Sequence, residues 1–405
     1  MPTKVATSVN EGRLVFAFDT GDPLNSYLGE PTTNFETYQA DPVNLTGFSW
    51  GWTTTSVGWY HGKYCLKCRV VSPGNNPNWT GAYSGIGLTT VAGQVYTRSC
   101  ELFVEPGGDH AWTPNVNATH GGTGGSNAYY NMSALGTWQK LQASVTATGT
   151  NTPFYYYWFA RGANDPQNVD FTIYLYHPQL ENKTYATAFT PSSRTSTTGL
   201  KDLTGNYTID LNTVSFNSSG ALLFDGTDDR VDLGSLSDLF IPGAKAITVE
   251  AVFKITPGAS GNDAPIFENY RFNFWYNYSN DKINGYVRTG APDTAGYQTA
   301  TSHTSTIACS SKGNYNHVVM MYETIGATEG RITMYVNGQY AGSSEGLRMG
   351  PYPLYPTWIG QSYHGGYGTF KLNGQVEVMR VYNGRLLESE ILNNYNHLKT
   401  RFNIA

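Results

Sequence analysis

The chain has 405 residues, room for two or three domains each with its own core. Only 14% are charged, where about a quarter is usual, while 45 glycines and 14% aromatics exclude a helical bundle or coiled coil built on Glu, Lys and Leu. The net charge of -5 at pH 7, without any basic run, excludes nucleic acid as a partner.

In chain order, the first half reads as strands: GKYCLKCRVV, YTRSCELFVE, WQKLQASVTA and NVDFTIYLYHPQLE, separated by Gly, Pro and Asn clusters such as Pro73 to Pro77 and Gly121 to Gly125. Strands of this length and spacing predict a sandwich. Pro191 to Gly199 is small, polar and flexible, and marks a boundary. Beyond it, Ile247, Val249, Ala251, Phe253 and Ile255 alternate, the period of a strand with one buried face. Arg331 to Tyr340 repeats that pattern and contains Asn337-Gly338, a strong hairpin signal because both residues tolerate positive φ. Gln375 to Val381 alternates again. One helix follows, with Ser389 as N-cap and Ile391, Tyr395 and Leu398 at helical spacing, expected to plug an edge or end.

No apolar stretch is long enough to span a bilayer, and residues 1–10 lack the basic-then-apolar pattern of a secretory signal, so neither membrane insertion nor Sec export is expected. Cys65, Cys68, Cys100 and Cys309 are too few and scattered for a disulfide scaffold and read as reduced thiols. Cys65 and Cys68 have the spacing of a zinc half-site, but no second pair follows and odd spacing on a strand sends them to opposite faces. The N-x-S/T sequons are no more frequent than chance gives.

The stretch Gly220 to Gly234 (GALLFDGTDDRVDLG), followed in order by ITVEAVFK, NHVVMMYE, ITMYVNGQYAG, TWIGQS and NGQVEVMRVYNGRLLESEI, resembles the laminin-G/concanavalin A-like jelly-roll family. Relatives from phage particles open with a strand like Gly12 to Gly29 and run directly into a segment like Gly199 to Leu211; here residues 34–194 stand between them. The resemblance therefore implies an N-terminal arm (1–10), a jelly roll made of 11–33 plus 195–405, and an inserted sandwich over 34–194. The insert is similar to carbohydrate-binding-module sandwiches of phage tail-fibre and appendage proteins, most clearly in FTIYLYHPQLENKTYATAFTPSSR. The fold class expected is all-β, two antiparallel sandwiches with one short C-terminal helix. Asn316-His317 departs from the Trp-His of many relatives and puts one core contact in question.

Hydrolysis of a glycoside needs two carboxylates held across the scissile bond. The strand motif Glu-x-Asp-x-Glu of enzymatic relatives is absent, and Glu250 and Glu377, isolated in apolar strands, read as solvent-face residues. The eight dispersed histidines have no nucleophile motif beside them. No enzyme is expected. Asp225, Asp228, Asp229 and Asp232 are candidate calcium ligands, as several laminin-G-like domains bind that ion, with Asp228 and Asp229 the best; the alternative is a tight turn. Sugars stack their C–H faces on aromatic rings, which makes Met349 to Tyr367 the leading glycan site, through Tyr352, Tyr355, Tyr363, His364 and Tyr367. In the insert, Trp112 lies in a Gly-rich loop, and Trp50, Trp52, Trp59 and Tyr60 are too dense for all to be buried.

These resemblances imply a virion protein on the exposed surface of a phage particle: an adhesin, fibre or decoration component. Its partners would be other virion proteins and host-surface carbohydrate, and its assembly a homo-oligomer, a trimer by analogy with phage fibres. The alternative is a purely structural capsid or tail decoration whose aromatic loops are protein interfaces. A glycoside hydrolase is the third reading.

Overall fold

The computed structural model describes residues 12–36, 53–72, 80–86, 88–109, 113–120, 123–150, 154–161, 168–217, 220–236, 245–261, 263–269, 271–288, 300–350, 355–362 and 370–404. It is all-β apart from one α-helix and a short 3-10 turn, as the alternating patterns predict. The chain divides into two compact units, one that runs to Glu30 and resumes at Ser196, the other Pro31–Thr195.

The first unit is a jelly roll of two antiparallel sheets. Its eight-stranded sheet runs Ser215–Phe216, Leu222–Asp225, Asn373–Tyr382, Ala246–Ile255, Tyr315–Thr324, Glu329–Val336 and Gln339–Leu347, with Leu14–Asp19 also pairing Asn373–Tyr382. The six-stranded sheet runs Val231–Asp232, Trp358–Ile359, Asp263–Glu268, Phe272–Asn277, Lys282–Arg288 and Ala300–Thr304. Ile247, Val249, Ala251, Phe253 and Ile255 all enter the core from the first sheet, against Phe272, Phe274 and Tyr276 from the second. Asn337 and Gly338 form the predicted two-residue hairpin, with φ of 49° and 74°.

A Cβ at Gly338 would stand 2.5 Å from Cδ1 of Tyr395. Gly338→Ala therefore combines left-handed strain with overpacking, and a loss of about 2 kcal/mol is expected in urea unfolding.

The helix α1 (Glu388–Phe402) buries Ile391, Tyr395 and Leu398 at the predicted spacing. Its N-cap, however, is Leu387 and not Ser389. The reason is Glu390, whose Oε2 accepts from the Leu387 N–H at 2.7 Å while both its oxygens accept from Arg13. Acidic residues fill the first turn, Lys399 and Arg401 the last, and Asn403 closes the helix in the left-handed conformation. Nor does α1 plug an edge. It lies on the outer face of the eight-stranded sheet, where Tyr395 and Leu398 pack with Val252 and Val378, and Ile391 with Val319, Met321 and Tyr382.

The solvent-face reading of Glu250 and Glu377 is overturned: they are 0% and 6% exposed, Glu250 bonded to Asn394 of α1 and Glu377 to Thr20 and Tyr315. Strand periodicity reports the side a residue points to, not what covers that side. Glu377 accepts from Thr20 and, at 2.6 Å, from Tyr315, while Asp19 at the same face holds Arg401 of α1 at 2.6 and 2.7 Å. Asn316 and His317 are both buried, His317 bonded to Glu250 and Asn316 to Ser310 and Asn337.

The second unit is a sandwich of a five-stranded sheet (Thr53–Tyr60, Lys63–Ser72, Val169–Glu181, Val95–Val104, Gln139–Thr146) and a four-stranded one (Thr80–Ile86, Phe154–Arg161, Asn115–His120, Thr123–Tyr129). Leu66, Cys68, Val70, Leu102, Ile173 and Val145 supply its core from the larger sheet. Thr32–Thr33 pairs with Ser193–Arg194, so the segment enters and leaves at one place. Glu181, fully buried, pins that entrance: it accepts from Thr32 Oγ1 at 2.8 Å and from the Thr187 N–H at 2.8 Å. Cys68 joins the core, whereas Cys65 faces outward among Phe103 and Tyr174, as their odd spacing predicts. All four cysteines are buried and unpaired, and burial pushes the Cys65 thiol up to about 11.

Candidate functional site

Of the six aromatic-loop residues expected to bind glycan, Tyr352, Tyr363, His364, Tyr367 and Trp112 lie outside the described residues, as do Trp50 and Trp52. Tyr355 is half-buried just ahead of the strand Trp358–Ile359. The described flanks of that loop lead onto the outer face of the six-stranded sheet. Here the sequence Phe272–Asn277 (FNFWYN) alternates strictly: Phe272, Phe274 and Tyr276 enter the core, so Asn273, Trp275 and Asn277 point outward.

Pairing aligns these outward residues into a row across the sheet: Asp232, Trp358, Glu268, Asn273, Tyr286 and Ser302. Asp232, Trp358, Glu268 and Tyr286 each have a partner within the face. Trp358 Nε1 donates to Asp232 Oδ2 at 3.0 Å, and the Arg230 guanidinium lies 4.5 Å over the Trp358 ring. Glu268 accepts from Trp275 Nε1 at 3.1 Å and from Ser362 Oγ at 2.9 Å. The Trp275 ring stands 5.2 Å from Phe370, near parallel, and 5.4 Å from Tyr286. Asn273, by contrast, is 1% exposed, and its Oδ1 and Nδ2 have no hydrogen-bond partner among the described residues.

A buried primary amide without partners costs a few kcal/mol, so folds rarely keep one for stability. Chemically, the carboxamide offers a donor and an acceptor side by side, between two rings and a carboxylate. That is the complement of adjacent hydroxyls on an apolar ring. The loop composition alone did not disclose Asn273, Trp275, Tyr286 or Glu268; the alternation within FNFWYN was the available signal.

The acidic turn is also formed. One carboxylate oxygen from each of Asp225, Asp228 and Asp229 lies within 4.8 Å of the others, with Asp229 buried. Asp225 Oδ1 accepts from the Thr227 N–H at 2.6 Å and Asp229 Oδ2 from the Asp225 N–H at 2.9 Å, bonds that tie the Asp225-Gly226 turn. Asp232 stands apart, bonded to Gly234 N and Trp358. Burial, and then the charges of Asp225 and Asp228, raise the Asp229 pKa. Hard oxygen donors suit calcium, and the turn commits one oxygen each of Asp225 and Asp229 to backbone.

Against known families, residues 225–392 match the model of the concanavalin A-like lectin/glucanases superfamily, the class of jelly roll that the motifs resemble. No curated protein sequence matches the chain. Similar solved structures include the botulinum neurotoxin serotype D binding domain, at 13% identity and a TM-score of 0.37 over 49% of this chain and 48% of that one. The binding domain of Paraclostridial Mosquitocidal Protein 1 is similar at 12% identity and a TM-score of 0.38, over 49% of each chain. The CBM40 of Ruminococcus gnavus IT-sialidase, bound to alpha2,3 sialyllactose, is similar at 10% identity and a TM-score of 0.34, over 43% of this chain and 96% of that one. This chain spans about half the length of the toxin domains it matches. Among the described residues no helix is long and apolar enough to cross a membrane.

Proposed function

We propose that the protein is a saccharide-binding component of a phage particle surface, with the outer face of the six-stranded sheet as its binding site. The observation that carries this reading is Asn273, a carboxamide with no hydrogen-bond partner among the described residues, in the centre of a row that also holds Trp358, Glu268 and Tyr286. Rings supply stacking for sugar C–H faces and the amide supplies direction. The match of residues 225–392 to a lectin/glucanase superfamily supports the same class of ligand.

Binding is favoured over hydrolysis. Glu250 and Glu377 are buried, and both Glu268 oxygens already accept hydrogen bonds from the protein. The second reading, a structural decoration whose aromatic loops meet other virion proteins, shares the aromatic-rich surface. A trimer, multiplying weak sites by avidity, suits either. Asp228 and Asp229, with Asp225, are proposed as calcium ligands at the rim of the same unit.

The test is a glycan array, with and without calcium, of the wild type and of Asn273→Leu. Leucine has similar volume and removes the amide, so stability should hold or rise by about 1–2 kcal/mol while binding is lost. Undiminished binding by Asn273→Leu would remove this face as the site. A folded wild type that recognises no glycan would favour the structural decoration.

A further inference from the structure

We infer that the second unit carries its own ligand site, a small pocket for a monoanionic sugar residue, lined by Ser99, Glu101, Lys140, His177 and Phe189. The pocket measures about 120 Å³, well below what drug-sized sites occupy, so it takes one edge of a sugar ring and leaves the rest outside. It does not use the jelly-roll face proposed above and stands or falls independently of it.

Its construction begins with a backbone outlier. His177 is held at φ 52° where the register between Val169–Glu181 and Val95–Val104 slips after Tyr176. A non-glycine residue in that conformation is strained, and such strain persists where surrounding contacts fix it. Here they do: the imidazole is clamped between Tyr176, centroids 3.6 Å apart, and Phe189, 3.8 Å apart and 7° from parallel. The result is a flat aromatic stack at the mouth of a polar pocket.

Glu101 is fixed with equal care. Its Oε2 accepts from Lys63, whose ammonium is itself sandwiched 4.5 Å from the Trp138 ring and 4.6 Å from Tyr176. Oε1 is left 3.9 Å from His177 Nδ1, too far for a direct hydrogen bond. A ligand hydroxyl fits that gap, donating to the carboxylate and accepting from the ring. Burial lowers the His177 pKa to about 4, so at neutral pH the ring is an uncharged imidazole.

Lys140 decides the ligand's charge. It stands directly across the sheet from Glu101, is exposed, and forms no salt bridge among the described residues. Lys63 already neutralises Glu101, which leaves the lining one positive charge for one anionic group. A hydroxylated ring with a single carboxylate satisfies the stack, the hydroxyl gap and Lys140 together.

The test is titration of the full chain with sodium glucuronate, followed by saturation-transfer NMR and calorimetry, beside glucose and acetate. Glucuronate should bind at least tenfold more tightly than either control. Lys140→Gln, on an exposed side chain, should keep the wild-type melting temperature and lose at least tenfold in affinity, while Lys140→Arg retains most of it. Asn273→Leu should bind glucuronate like the wild type, which separates this site from the jelly-roll face. Equal affinity for glucose or acetate, or no change in Lys140→Gln, would overturn the assignment.

Discussion

Replacing Glu250 with alanine is expected to destabilise the jelly roll by about 3–5 kcal/mol, the range for removing one member of a buried charged network. Glu250 is 0% exposed. It accepts from His317 Nε2 at 2.7 Å, Tyr382 OH at 2.9 Å, Asn394 Nδ2 at 3.1 Å and Arg380 Nη1 at 3.4 Å. One carboxylate thus joins three strands to α1, and its loss leaves Arg380 buried and uncompensated. The pH dependence follows from the same contacts. Burial pushes the Glu250 carboxyl up, but the Arg380 charge and the bonds from His317 and Tyr382 outweigh it and hold the group near 2, against an ordinary 4.5. A depressed carboxylate stabilises the fold fully above its unfolded pKa, and that contribution drains away as pH falls from about 4.5 toward 2. Urea midpoints of the wild type should therefore drop across this window, and those of Glu250→Gln should drop less. Limited proteolysis gives a second readout, with cleavage in α1 rising first, since Asn394 loses its partner.

How much of this was legible in the sequence differs by layer. The period of two in Ile247 to Ile255 fixed a strand and its core side, and Asn337-Gly338 fixed a hairpin, because both signals are local. The fate of Glu250 was not local. An outward residue on a strand meets either water or another element, and α1, more than a hundred residues on, supplies the second outcome. Ser389 misled for a similar reason: Arg13, from the other end of the chain, holds Glu390, which accepts from the Leu387 N–H. At the candidate site the sequence pointed to aromatic loops through composition. Composition says where rings are dense; it does not say which outward strand residues will align with one another. Asn273 meets Glu268 and Tyr286 only through the pairing of Asp263–Glu268, Phe272–Asn277 and Lys282–Arg288. The pocket beside His177 had no readable precursor, because a register slip and a left-handed histidine arise from tertiary packing.

Arg98→Ala is the corresponding experiment for the second unit, with an expected loss of about 3–5 kcal/mol. Arg98 lies on Val95–Val104 among Tyr96, Cys100 and Leu102, which all face the core, and it is 0% exposed. Its Nη2 lies 3.8 Å from Glu36 Oε2, and both side chains are fully buried. Truncation removes the guanidinium that compensates Glu36 and leaves a cavity as well. Among the described residues each hydrophobic cluster lies within one unit: those of Phe16, Val319 and Val252 in the jelly roll, those of Leu66 and Cys65 in the insert. Calorimetry should accordingly resolve two transitions, one moved by Arg98→Ala and the other by Glu250→Ala, their effects adding in the double variant. A single transition lowered by both substitutions would mean that the two units unfold as one cooperative body.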